Sequence, residues 1–164
     1  MIQMAMTIET VGLDQLGRML AQLESKAQDI ASGALYDGAG VVANAMNAAV
    51  QSIKTEPFRY ATNGNMRLAS PQEKAALERK IGIAKFRKSG SEVDTMIGIS
   101  GASGYTQIAG KPKAVRLIAR SINSGTSFMR KQPVFRKAKT QSQGPAKEAI
   151  VAKAEQIINE IING

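Results

Sequence analysis

The run from Ile150 to Ile162 constrains the fold of this chain most. Ile150, Val151, Ala154, Ile157, Ile158, Ile161 and Ile162 recur at helical spacing, and together they make an apolar face too wide for a helix left in solvent. Such a helix has to lie against something, most simply the rest of its own domain. Gly144-Pro145 stands ahead of it, and a proline fits the first turn of a helix, so the final helix is expected to begin there.

The partner for that face is expected in the first third of the chain. Val42, Ala45, Met46, Ala49, Val50 and Ile53 repeat at helical spacing within a helical region from about Ala27 to Ile53. Gly33, Gly38 and Gly40 weaken its first half, where they either kink it or let a neighbour approach closely. Before it, Met6 to Val11 reads as a strand-like arm ending at Gly12. A short helix follows, with Leu13, Leu16, Leu20 and Leu23 on one face and Asp14 in its first turn.

The middle of the chain changes period. Residues 55–69, with Pro57, Asn63 and Gly64, read as an exposed loop. Ser70-Pro71-Gln72-Glu73 is a helix start, with Ser as N-cap, Pro at the first position and Glu closing a capping box, and the helix should run to about Arg79. Ile81 and Ile83, then Val93, Thr95, Ile97 and Ile99, alternate with a period of two around Lys88-Ser89-Gly90-Ser91, which predicts an antiparallel β-hairpin. Residues 101–111 read as a second exposed loop. Pro112 is expected to open a helix carrying Ala114, Leu117, Ile118, Ser121 and Ile122 on one stripe and stopping at Gly125, with a strand as the runner-up. Pro133 and Phe135 are placed in the loop before the last helix. The expected class is α+β: one domain over residues 1–164, with N-terminal helices, a central antiparallel hairpin or small sheet, and a C-terminal helix.

Composition narrows the chemistry. The 164 residues contain no His and no Cys, so zinc sites, cysteine nucleophiles and Ser-His-Asp triads are unavailable. No pair of carboxylates stands out as a catalytic couple. The expectation is a protein that is not an enzyme, with no catalytic residue, no cofactor and no metal. Aromatic residues make up only 4% and Trp is absent, so the core must be aliphatic, and the eight Met residues read as adaptable packing. No apolar run is long enough to cross a bilayer, and Met1 to Val11 lacks the layout of a secretory signal. These features predict a soluble protein of the cytoplasm.

Charge is unevenly placed. Residues 1–50 carry Arg18 and Lys26 against Glu9, Asp14, Glu24, Asp29 and Asp37, a net of −3. Between Asp94 and Glu148 there is no acidic residue, while Lys111, Lys113, Arg116, Arg120, Arg130, Lys131, Arg136, Lys137, Lys139 and Lys147 all fall there. Arg116 and Arg120 are four apart and share a helix face, with Lys113 expected on the same side. Such a field suits a polyanion, or the acidic face of a neighbouring subunit. Phe128 and Phe135 are the only rings near in sequence, which gives the charges no obvious stacking platform. Gly104-Tyr105-Thr106-Gln107-Ile108-Ala109-Gly110-Lys111-Pro112 imitates a phosphate-binding loop but has five residues between the glycines, where four are needed. Pro112 also occupies the hydroxyl position.

The stretch from Ile122 to Ala138 carries Gly125-Thr126 and Gln132-Pro133-Val134-Phe135. It resembles the signature of the gene-product-ten-like family of tail-component or neck proteins of long-tailed bacteriophages and prophages: Gly-Thr, a short spacer, Gln-Pro-Phe, then a C-terminal helix. Gly12-Leu13-Asp14-Gln15-Leu16 is similar to the family's opening helix, and Lys80-Ile81-Gly82-Ile83 and Ile97-Gly98-Ile99 to its central hairpin. Val134 is inserted before the Phe, Asn123 stands where an acidic residue is common, and residues 55–80 replace a more compact segment.

The resemblance implies a structural virion protein of the head–tail junction, assembled in the bacterial host cytoplasm. It would form a homo-oligomeric ring, hexameric or dodecameric, that joins the head connector and portal-associated proteins to tail proteins and leaves a passage for DNA. Gly125, Thr126, Gln132, Pro133 and Phe135 would be its architectural residues. Lys111, Lys113, Arg116, Arg120, Arg130 and Lys131 would form a patch facing a partner or making non-specific contact with DNA in the channel. The alternative is a small sequence-independent DNA-binding protein that uses the basic 111–139 stretch.

Overall fold

The computed structural model describes residues 11–62, 64–78, 80–89, 92–106 and 112–164. The strand expected before Gly12 falls outside them, except at Val11, which is already helical. Among the described residues, five helices and three short antiparallel strand pairs follow one another in an α+β arrangement.

Two long helices make the frame: α2 (Ala27–Gln51) and α5 (Val134–Asn163). They pack side by side and antiparallel, since Gly33 lies against Ile157 and Gly38 against Ile150. The glycines of α2 neither break nor shorten it; they make room. On α5, Ala138, Ser142 and Ala146 are buried at intervals of four and Ile150, Ala154 and Ile157 are half-buried. Small residues of one helix therefore face large ones of the other. The face is less completely covered than its width predicted: Val151 is 57% and Ile162 37% exposed.

Helix α5 corrects an expected boundary. It begins at Val134, not at Gly144-Pro145, and runs through Pro145. A proline inside a helix removes a hydrogen bond and crowds the preceding turn. Here Gly144 and Pro145 are both exposed, while the stripe at 138, 142 and 146 continues across them against α2. Tertiary burial outweighs the local cost of a proline inside the helix. Phe135, expected in a loop, is in the first turn.

Helix α1 (Val11–Ser25) leads into α2 across the single residue Lys26 (φ −104°, ψ 4°). Lys26, Asp29 and Ile30 sit beside Ile157, Glu160 and Ile161, so the start of α2 is level with the end of α5. Beyond that end α1 has little to pack on. Met19 and Leu23 are half-buried, whereas Leu16 and Leu20 are 50% and 57% exposed.

The other end of the pair holds the core. Val50, Ile53, Ala69, Leu77, Val115, Ile118, Ala119, Ile122 and Met129 form one buried cluster, with Ile81, Ile99, Val134 and Phe135 packed around it. Helix α3 (Pro71–Leu77) enters it under a capping box. The Ser70 hydroxyl accepts from the Glu73 N–H (3.2 Å), and the Glu73 carboxylate accepts from the Ser70 N–H (2.8 Å). The expected hairpin is present as β1 (Ile81–Ile83) on β4 (Ile97–Ile99) and, further out, β2 (Arg87–Ser89) on β3 (Glu92–Asp94). Ile81 pairs with Ile99 and Ile83 with Ile97. The hairpin lies along α2, where Phe86 meets Tyr36 at 6.3 Å between ring centroids.

Two expected loops differ. Residues 102–106 form strand β5, paired antiparallel with β6 (Pro112–Ala114), so the described part of the segment is largely strand. Pro112 begins that strand instead of a helix, and helix α4 (Val115–Ser124) starts three residues later. Its buried face is Val115, Ile118, Ala119 and Ile122, and Leu117 is 46% exposed. Residues 55–69 are not simply an exposed loop either. Ala69 is fully buried, Arg67 is 9% exposed, and the segment bridges to Met129 and Ala69.

Candidate interaction face

The five signature residues build a junction between α4 and α5. Gly125 follows α4 with φ +76° and ψ 168°. This extended positive-φ region is open to glycine almost alone. The backbone of Lys131 passes so near that an added Cβ would lie 3.2 Å from its nitrogen. Next, the Thr126 hydroxyl accepts from the N–H groups of Phe128 (3.2 Å) and Met129 (3.0 Å), closing a turn that drives Met129 into the core.

Gln132 then ties the junction to α2. Its side-chain amide bonds the backbone of Lys54 in both directions and its own N–H donates to the Ile122 carbonyl at 2.8 Å. Pro133 is the N-cap of α5, and Phe135 packs on the core. Asn123 Oδ1 accepts from the Arg136 N–H at 3.1 Å, so α4 supplies a cap for the first turn of α5. The junction needs an acceptor there, and the Asn123 amide oxygen supplies it.

Of the basic residues expected in one patch, only Arg116 and Arg120 line the same groove. Lys111 lies outside the described residues. Lys113 is in β6, so it does not share the α4 face as expected. Arg116 and Arg120 are exposed on α4 and border a groove of about 350 Å³ whose floor includes Met46, Ile99, Ala119 and Phe135. The groove is apolar below and cationic at the rim.

Arg130 and Lys131 are exposed in the α4–α5 junction and are not in that groove's lining. Arg67 pairs with the junction backbone. Its N–H donates to the Phe128 carbonyl (2.8 Å), its carbonyl accepts from the Arg130 N–H (2.8 Å), and its guanidinium lies 5.1 Å from the Phe58 ring centroid. Phe58 and Tyr60 meet edge to face at 5.4 Å. Sequence spacing offered only Phe128 and Phe135 as rings near the basic stretch; the fold also brings Phe58 and Tyr60 to Arg67. Phe58, Tyr60 and Phe128, each more than half exposed, are gathered there by strand-like bridges that sequence distance concealed.

The Arg67 side chain faces inward. Nη1 and Nη2 each reach a Glu73 carboxylate oxygen at 2.7 Å, a buried bidentate pair that also caps α3. Sequence reading missed Arg67; the capping-box glutamate was the one sign that a cation was needed nearby.

Among the described residues, no group of three or more acidic, His or Cys side chains is placed to hold a metal ion, and no helix is long and apolar enough to cross a membrane. Comparison with protein-family models, with curated proteins and with solved structures finds no match to this chain.

Proposed function

We propose that this protein is a structural, non-enzymatic component of the phage head–tail junction, acting as one subunit of a ring that joins the head connector to the tail and leaves a passage for DNA. The observation that carries this reading is the junction from Gly125 to Phe135. Every residue of the phage-like signature in it makes a specific architectural contact, through backbone geometry, capping, side-chain-to-backbone bonding or core packing. The signature thus has a physical purpose in the fold. The exposed features left over, a projecting α1 and a cationic groove, are of the kind that subunit contacts use.

Native mass spectrometry over a range of protein and Mg²⁺ concentrations tests it. A discrete closed oligomer is expected, six or twelve times the 17.5 kDa subunit. Imaging with connector and tail proteins should then place it between them.

A second reading, sequence-independent nucleic-acid binding, is favoured by the exposed rings Phe58, Tyr60 and Phe128 in segments that Arg67 links to Arg130. Rings offer stacking and cations neutralise phosphates. A protein that stays monomeric and binds duplex or single-stranded DNA with steep salt dependence would replace the ring reading with this one.

A further inference from the structure

Helix α1 and the α4 groove have complementary chemistry and lie at opposite ends of the subunit. Leu16 and Leu20 are one turn apart on one face of α1, both about half exposed. Gly17, between them, has open space above its Cα. Glu24 follows Leu20 by one further turn on that face, whereas Arg18, two residues from either leucine, falls on the opposite side. The arm therefore presents two leucines and an acid. The groove presents the reverse: an apolar floor with Arg116 and Arg120 at its edge and no acidic residue in its lining.

One chain cannot join the two. Lys26 and Met46 are separated by most of α2, about 30 Å at 1.5 Å per helical residue. Lys26 alone links α1 to α2, and α1 packs beside the far end of α5. The occupant that fits is thus a second copy.

We propose that α1 of one subunit seats Leu16 and Leu20 in the groove between Met46, Ile99 and Phe135 of the next, with Glu24 meeting Arg116 and Arg120 at the rim. The mode is an amphipathic helix in a groove, anchored at positions i and i+4. Because donor and acceptor surfaces differ, the contact is head-to-tail, and it closes a ring when the rotation per subunit allows. This inference rests on the ring reading and specifies the contact that makes the ring.

The absence of native cysteine makes the test direct. A Leu20→Cys protein is mixed with a Ser124→Cys protein under copper-phenanthroline oxidation, with Glu155→Cys as the control acceptor. Leu20→Cys should cross-link to Ser124→Cys about tenfold faster than to the control, because docking raises the effective concentration of the pair. Leu16→Glu/Leu20→Glu should abolish the oligomer while leaving the circular dichroism unchanged, as both residues are at least half exposed. Glu24→Arg should weaken it, and Arg116→Glu/Arg120→Glu in the neighbour should restore it.

An oligomer that forms but cross-links equally to Ser124→Cys and Glu155→Cys overturns this contact and leaves the ring reading standing. Specific cross-linking in open chains that never close keeps the contact and removes the ring. A monomer at every concentration, or an oligomer indifferent to the leucine changes, overturns the contact.

Discussion

Gln132 and Lys54, 78 positions apart, are joined as if by a rung of sheet: Gln132 Oε1 accepts from the Lys54 N–H and Gln132 Nε2 donates to the Lys54 carbonyl, each at 2.9 Å. A side-chain amide here imitates a backbone peptide. It satisfies the chain where α2 has ended and no strand partner is present. The same residue's N–H holds the Ile122 carbonyl near the end of α4, so one glutamine locks three segments of the core end together.

Replacing Gln132 with Ala should cost about 1–2 kcal/mol, the net worth of two hydrogen bonds of which one side is solvent-accessible. Gln132→Glu keeps the acceptor but sets a carboxylate against the Lys54 carbonyl, and should be no better than Ala. Urea unfolding followed by circular dichroism measures both; a wild-type midpoint for Gln132→Ala would mean that water replaces the amide without loss.

Removing one member of the Arg67–Glu73 pair should be the most damaging single change at this end of the molecule. The Glu73 side chain is 2% exposed and that of Arg67 11%, so Arg67→Met strands a buried carboxylate and should cost about 3–5 kcal/mol. Arg67→Met/Glu73→Leu removes both charges and should recover part of that loss, though the capping box is gone. Equal stability of the single and double variants, measured by urea titration, would contradict the coupling.

Gly38 and Gly33 should respond differently to Ala. A Cβ at Gly38 would fall on Ile150 Cγ1 and 3.0 Å from the Ala146 carbonyl oxygen, so Gly38→Ala should cost about 1–3 kcal/mol through overpacking. Ile150→Val should relieve part of it. At Gly33 the neighbour is the tip of Ile157, Cδ1 at 2.8 Å, which can rotate aside. There the gain of up to about 1 kcal/mol in helix propensity offsets the crowding, and Gly33→Ala should be near neutral. Thermal melts of the two variants side by side decide the point.

Gly125→Ala should destabilise by about 1–3 kcal/mol, because its φ of +76° with ψ near 168° excludes a Cβ and the Lys131 backbone leaves little room. Gly64, at φ +81° with nothing within 4 Å, supplies the comparison: Gly64→Asn should cost less. A Gly125→Ala melting temperature above that of Gly64→Asn would argue that the junction relaxes freely.

The sequence by itself determined much of this protein. The period-two alternation from Ile81 to Ile99 placed the first hairpin, the Ser70–Glu73 pattern placed α3 with its reciprocal cap, and helical spacing placed α2. These are local signals, set by bonds and contacts within a few residues, and they survive whatever the rest of the chain does. The tertiary structure decided where long-range burial overrules local preference. Pro145 lies within α5 because the stripe from Ala138 to Ile157 is held on α2 across it. Residues 102–106 and 112–114 became strands by pairing with one another. The end of the 55–69 segment turned inward, with Ala69 in the core and Arg67 meeting its carboxylate in Glu73. The placing of Arg116 and Arg120 at a groove rim, and of Arg130 on the Arg67 backbone, likewise had no local signature. Which charges stand together depends on which backbones are bridged, and those bridges join residues far apart in the chain.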